Sequence, residues 1–435
     1  MDRKRNFSVR SLGLLVAAFA LAPAWADAQT APAAPTFTKD IAPILQRSCQ
    51  SCHRVGQMAP MSLVTYQEVR PWTRSIKSRV AAREMPPWHV DKTIGIQQFK
   101  DDPSLSDQEI ATIVKWADSG APQGNLSDMP PPRQFADGNS WQIGEPDLII
   151  KFPKYRVPAE GPDWYGDLYA DIPIDEDRYI KAIQTRSATQ ASHRVVHHAL
   201  SYSQDAPSEN ATMPVDGGQF LVEYAQGKNA EVYPEGSGVL LQKGQKARLS
   251  YHLHAIGEEM KNIEVELGIY LYPKGVVPER RTVLRMFDVS RGSELDIPPN
   301  QTAMTQNFYV MQAPARLENF QPHMHMRGKS LSLEAIYPDG RKEILSAVNN
   351  FQWNWHVNYI YGDNAAPLLP KGTTLVFTAW HDNTANNPNN PDPRQWVGWG
   401  DRTVDEMAHV WVDVTYLEQA DFDRQVAARK AAAKK

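Results

Sequence analysis

From about Gly144 to Leu417 the chain alternates short β-branched and aromatic runs with Gly, Pro, Asn and Asp turns. Leu148-Ile149-Ile150, the run from Ile263 to Leu267 and the run from Thr374 to Phe377 are examples. Such runs, spaced by turn residues, predict antiparallel strands packed as sandwiches. The stretch is long for a single sandwich of ~100 residues, so two are expected, joined near 288–293. Ahead of them, Thr36 to about Gly124 reads as helical. Its clearest helix opens with the capping box Ser106-Asp107-Gln108-Glu109, carries Ile110, Ile113, Val114 and Ala117 at helical spacing, and stops at Gly120 and Pro122. Met129-Pro130-Pro131-Pro132 marks the boundary between the two textures. The Ala/Lys/Arg-rich tail after Glu418 predicts a solvated helix or a frayed end.

The first residues have a different pattern. Arg3, Lys4 and Arg5 precede an apolar run from Leu12 to Leu21, and Ala24-Trp25-Ala26 and Ala26-Asp27-Ala28 follow. A basic start, a short apolar core and an A-x-A site predict a secretory signal over 1–28, and hence an exported, periplasmic protein. The run is too short for a membrane-spanning helix of ~20 residues, so no span is expected in the mature form. Composition then narrows the partners. Lys+Arg 46 against Asp+Glu 50 gives a formal net charge of -4, which leaves no footprint for nucleic acid. The 33 prolines favour strands and loops over long helices.

Both cysteines lie in Cys49-Gln50-Ser51-Cys52-His53. C-x-x-C-H is the attachment motif of c-type haem, in which two thioethers fix the porphyrin and the adjacent histidine ligates iron. A thioredoxin-like pair needs a βαβ context, and this segment reads as helical. The sixth ligand has to reach the opposite face of the ring. Met58 and Met61 have little chain for that journey, whereas Met85, stiffened by Pro86 and Pro87, has enough; His89 is the bis-His alternative.

Nine of the twelve histidines lie between His193 and His381. His323 and His325 flank Met324, so on a strand they share a face and can chelate one ion, and His252 and His254 repeat that geometry. His197 and His198 are adjacent, and can face one metal only where the backbone is irregular. Imidazole suits zinc or copper, and nearby methionine sulfur favours copper. No H-E-x-x-H motif stands in the chain, which ranks a zinc hydrolase last.

Taken together, Val195-Val196-His197-His198-Ala199-Leu200, Tyr251-His252 with Gly257, Pro322-His323-Met324-His325-Met326-Arg327-Gly328 and Asp405-Glu406-Met407 resemble the copper type II, ascorbate-dependent monooxygenases. That family includes the peptidylglycine α-hydroxylating and dopamine β-monooxygenases, and the likeness is to its bacterial branch with an N-terminal cytochrome c domain. It covers roughly residues 36 to 417. The resemblance implies a small all-α cytochrome c domain over 36–125 and two tandem antiparallel β-sandwich, jelly-roll-like domains over 140–287 and 288–417, with a tail over 418–435. It implies two copper ions and haem c as cofactors, with the coppers facing each other across a solvent-filled cleft. The first copper would take His197, His198 and His252, with His254 able to replace or join His252. The second would take His323, His325 and Met407, bind O2 and hydroxylate a C–H bond of a small organic substrate. Cys49, Cys52, His53 and Met85 would hold a haem that relays electrons to the first copper, replacing or supplementing ascorbate or another one-electron donor. A non-enzymatic haem–copper carrier is the rival. His193, His356 and His409 read as structural, Trp353, Trp355, Trp396 and Trp399 as core or cleft wall, and the Asn386 to Pro393 run as an Asx/Pro turn array.

Overall fold

The computed structural model describes residues 34–55, 57, 59–135, 141–205, 218–225, 230–289 and 295–432. The expected leader over 1–28, Met58 and most of the expected join at 288–293 lie outside them. The chain is mainly β, 38% strand against 17% helix. No helix among the described residues is long and apolar enough to cross a membrane.

The helices Ala42–Ser48, Thr73–Ala81 and Asp107–Asp118 bury Leu45, Ile76, Ile113 and Trp116 in a core of their own, joined by Ile41 and Val69 from the turns Phe37–Ile41 and Tyr66–Val69. The capping box at Ser106 forms as expected: Ser106 Oγ accepts from Glu109 N at 3.2 Å, and Glu109 Oε2 accepts from Ser106 N at 2.8 Å. Gly120, at φ 88°, supplies the left-handed residue that ends this helix. A second box, Thr65 with Glu68, starts the turn Tyr66–Val69.

The helical reading fails between Thr73–Ala81 and Asp107–Asp118. There, beyond Pro86 and Pro87, residues 88–100 cross the C-terminal β region without regular secondary structure, making isolated bridges at Val90 and Phe99. Asp91 N donates to Ala347 O, Ile96 N to Leu345 O, Lys100 N to Ile360 O and Gly362 N to Gln98 O, each at 2.8 Å. Trp88, Val90, Ile96 and Phe99 pack into that region's core. The backbone of this segment is satisfied by the strands it crosses, so no helix forms here although the segment was expected to be helical.

In the first β half, the sheet Trp164–Asp171, Lys246–Leu253, Val196–Gln204, Gln219–Ala225 faces strands Leu148–Lys151, Val265–Leu271, Arg178–Ser187 and Ser237–Leu241 across an apolar core. In the second half, the sheet Thr302–Val310, Thr374–Asp382, Gly328–Ile336, Lys342–Val348 faces Arg280–Asp288, Ala408–Tyr416, Ala315–Leu317 and Asn319–Met324. One sheet is continuous through both halves, because Arg280–Asp288 pairs in parallel with Ser237–Leu241. Along its length from Arg281 to Asp288 that strand pairs with Ala408–Tyr416, so by pairing it goes with the second half. The tail helix Gln419–Ala432 is pinned where Arg280 Nε meets Asp421 Oδ2 at 2.6 Å.

Candidate metal centres

Thr189 caps the short helix Gln190–Val195 by accepting from Ser192 N at 3.1 Å, and the chain passes directly into Val196–Gln204. Against Lys246–Leu253 the register is Val196 to Leu253, then His198 to His252. His197 is the extra residue of a bulge. This is the irregular backbone that two adjacent histidines need to reach one site. His252 Nδ1 lies 3.1 Å from His197 Nδ1 and 3.2 Å from His198 Nε2. The three rings offer nitrogens all within 4.8 Å of one another, the only such group of His, Cys, Asp or Glu among the described residues.

His252 is oriented from behind. Its Nε2 meets Asp163 Oδ2 at 2.7 Å, so the proton sits on that side and Nδ1 keeps its lone pair. Tyr165 stacks on the same ring at 4.2 Å. His254 bonds the other Asp163 oxygen at 2.7 Å and is 63% exposed, so it stands outside the cluster. Burial works against the Asp163 carboxylate, but hydrogen bonds from both histidines hold its carboxyl below the ordinary range. Burial, reinforced by neighbouring imidazoles, brings His197 down to about 4 and His198 well below its usual value. The rings are therefore neutral near pH 7, as metal ligands must be. His198 faces His252 with Nε2, and its buried Nδ1 has no hydrogen-bond partner. An ion with metal–N bonds of about 2.0–2.1 Å in tetrahedral geometry sets ligand nitrogens about 3.3 Å apart, so the cluster fits one.

The second set is built on two strands. Asn319–Met324 pairs with Ala408–Tyr416 in the register His323 to His409 and Met324 to Ala408. His325 and Met407 lie one residue beyond the paired ends of the two strands. The strand ends at Met324, which is buried in the core, and the chain turns back with Gly328 N donating to His325 O at 3.0 Å. A Cβ on Gly328 would come within 2.6 Å of Met324 Cβ, so this turn requires glycine. The rings of His323 and His325 are 5.3 Å apart, edge to face. His325 lies one residue past the strand end, a looser arrangement than the expected regular strand face.

Buried Glu406 ties the two segments together. Its carboxylate accepts from His325 N at 3.0 Å, Arg327 N at 2.5 Å and Met407 N at 3.3 Å. His325 Nδ1 bonds Asp405 O at 3.2 Å, which leaves Nε2 free to ligate. Arg327, fully buried, donates from Nε to Asn383 Oδ1 at 2.9 Å and from Nη1 to Val404 O at 2.8 Å.

Two histidines read as structural take part in this arrangement. His409 stacks on His323 at 4.5 Å, and burial brings it down to about 3. His356 lies between the two sets: its ring centre is 4.6 Å from His323, 5.7 Å from His198 and 6.2 Å from His197. The structure therefore places the His356 imidazole between the two sets, where the resemblance implied a solvent-filled cleft. No spacing rule reveals His356, which stands alone in its loop. His193 keeps a structural role, with its Nδ1 3.5 Å from the Tyr224 hydroxyl.

At the other motif, Cys49 follows the helix Ala42–Ser48, and both thiols are free. Burial pushes Cys49 up to about 12 and raises Cys52 as well. His53 Nδ1 is 3.3 Å from the Met61 carbonyl oxygen, which fixes the tautomer and leaves Nε2 for iron. A cleft of about 520 Å³ beside the motif is lined by Phe37, Gln50, Arg54, Tyr66, Met129 and Phe135. Met85, half-buried, lies just past Thr73–Ala81, at the start of the segment that docks on the second half. His89 lines a small cavity with Pro322 and Tyr359, on the β side of that segment.

The Asn/Pro run is the turn array expected of it. Asn387 Oδ1 accepts from Asn389 N at 3.0 Å, and Asp392 Oδ1 from Arg394 N at 3.0 Å, while Asn387 Nδ2 braces Met326 O at 3.1 Å. Trp396 and Trp399 are exposed, unlike the expected core or cleft wall.

No family model and no curated protein matches the chain. Among solved structures, the major capsid protein P2 of bacteriophage PM2 is similar at TM-score 0.31 and 11% identity, over 62% of this chain and 98% of that one. The clostridial cysteine protease Cwp84 follows at TM-score 0.22 and 9% identity, over 55% and 72%. The infectious bursal disease virus VP2 subviral particle follows at 0.18 and 12%, over 62% and 67%. Likenesses this low carry no argument about activity.

Proposed function

We propose that this chain is an exported copper monooxygenase of the type II, ascorbate-dependent kind, with a cytochrome c-like domain at its N-terminus and two tandem β-sandwich domains behind it. The observation that carries the reading is the bulge at His197, which turns two adjacent histidines and His252 onto one point. His197, His198 and His252 would hold one copper and His323, His325 and Met407 the other. Cys49, Cys52 and His53 would hold haem c, with Met85 as the sixth ligand. Copper at these residues supplies one-electron steps toward O2.

Inserting one oxygen atom of O2 into a C–H bond and releasing the other as water consumes two electrons and two protons. Two separate one-electron sites and a one-electron carrier on the same chain suit that demand. The chain's own contribution is positional. Asp163 fixes the tautomer of His252, Glu406 holds His325 against Met407, and Asp405 O turns His325 so that Nε2 is presented. The docked segment offers the relay a second route: Trp88 packs on Tyr359 at 4.8 Å, and His89 shares a cavity with Pro322, the residue before His323.

The rival, an exported haem–copper carrier, needs no more than the first set, whose three nitrogens come together among the described residues. Oxygen uptake separates the two readings. With ascorbate as reductant, copper-loaded protein screened over small organic substrates should consume O2 in a substrate-dependent way. Binding of copper without such uptake by any substrate supports the carrier.

A further inference from the structure

We infer that the strand Thr302–Val310 is a dimer interface, pairing edge to edge with the same strand of a second copy of this chain. The inference does not depend on the histidine sets binding metal. The strand is the outer one of its sheet, bound on one side to Thr374–Asp382, and no strand among the described residues pairs with its other side. At its two ends Asn383 N donates to Gln301 O at 3.0 Å and Met311 N to Thr373 O at 2.8 Å. Bonding residues alternate along an antiparallel pair. The odd-numbered residues therefore bond inward, and the N–H and C=O of Met304, Gln306 and Phe308 point out. Phe308 N and Val310 O show that direction, since each is met by a nearby side chain, Asn307 Oδ1 at 2.8 Å and Gln312 Nε2 at 2.9 Å.

Nothing blunts this edge. Exposed edges are ordinarily kept short, bulged, charged or interrupted by proline. This strand has nine residues with no charge and no proline, and its register with Thr374–Asp382 is unbroken. Met304, Phe308 and Val310 share one face with Gln306 and are 60%, 69% and 38% exposed. The opposite edge of the same sheet is treated differently. There residues 88–96 cover Lys342–Val348, with Asp91 N on Ala347 O and Ile96 N on Leu345 O, each at 2.8 Å. In the first half, the edge strand Trp164–Asp171 carries Asp167 and Asp171.

The strand suits a copy of itself. A two-fold axis at Gln306 sets Gln306 against Gln306 and Met304 against Phe308, pairing amide with amide and thioether with ring on one face. With no charge on the strand, no like charges meet across the axis, and a charged partner would find none to pair with. The edge is about 30 Å long. With its side chains it covers on the order of 600 Å² per copy, the lower end of a stable interface. The dimer is therefore one that dissociates on dilution. Ala303 pairs with His381, whose Nε2 lies 3.2 Å from Met407 O, so the interface lies one strand from the second set.

The test is sedimentation velocity of the full chain over a concentration series, on wild type, Gln306→Lys and Phe308→Asp, with thermal melting to establish folding. Ile344→Lys, on the covered edge, is the control. Wild type and Ile344→Lys should form a dimer that dissociates on dilution, while Gln306→Lys and Phe308→Asp should stay monomeric at every concentration. Gln306→Cys tests the register. Residues opposite one another in a bonded antiparallel pair have Cα atoms about 5.5 Å apart, within the range a disulfide spans. Under mild oxidation this variant should cross-link into a dimer, whereas Thr302→Cys, opposite Val310, should not. A wild type that is monomeric throughout, or a dimer that persists in folded Gln306→Lys, overturns the interface. A wild-type dimer in which Gln306→Cys fails to cross-link overturns the pairing.

Discussion

Oδ2 of Asp163 lies 2.7 Å from Nε2 of His252, and this contact decides which nitrogen of the ring is left for a metal. With the proton held at Nε2, Nδ1 points at His197 and His198. Replacing Asp163 with Asn should therefore weaken the first site by about 10- to 100-fold, the usual effect of losing such a partner. The second site should be unchanged. Copper competition titration checks this.

The histidines give the metal-free protein a pH dependence of definite sign. His197 titrates at about 4 and His409 at about 3 in the fold, both depressed first by burial and then by neighbouring imidazoles. Unfolded histidine titrates near ~6.5. As pH falls below that value the unfolded chain takes up protons that the fold refuses, so stability is greatest above it and declines toward pH 4. Melting of metal-free protein should fall steadily across this window. Saturating copper should raise the melting temperature most at its upper end, where protons compete least for the rings.

Glu406 receives three backbone amides, from His325, Arg327 and Met407. Glu406→Ala leaves buried donors without acceptors and should cost about 3–5 kcal/mol, as the loss of a buried charged partner does. Met407→Ala removes only the thioether. It should abolish product formation while the first site keeps its copper, measured by metal content and oxygen uptake on the same sample.

The Tyr359 hydroxyl accepts from His89 N at 3.1 Å. Tyr359→Phe should loosen residues 88–100, seen as faster amide exchange there, at a stability cost of about 0.5–1.5 kcal/mol. If this segment is the electron entry, haem oxidation by the bound copper should slow in the same variant while the haem spectrum stays fixed.

Much of this was legible in the chain because local chemistry specified it. Ser106 and Glu109 announce their helix, and Leu148 to Ile150 and Thr374 to Phe377 announce their strands. The His197-His198 doublet required an irregular backbone, and the bulge supplies it. What pattern alone left open depends on contacts distant in sequence. His252 and His254 are equivalent by spacing and both bond Asp163, 89 and 91 residues away, but His252 is buried against His197 and His198 while His254 is exposed. His356 is a lone histidine whose neighbours come from three strands. Residues 88–100 carry too little periodicity to foretell that they dock on a sheet.

The central claim is that the bulged pair and His252 hold copper. Its most direct test is the copper content of the exported full chain after loading and dialysis, compared with His252→Ala. The account expects two copper ions per chain, one of them lost in the variant. Wild-type protein that retains no copper under saturating supply, or a variant that retains as much as wild type, contradicts it.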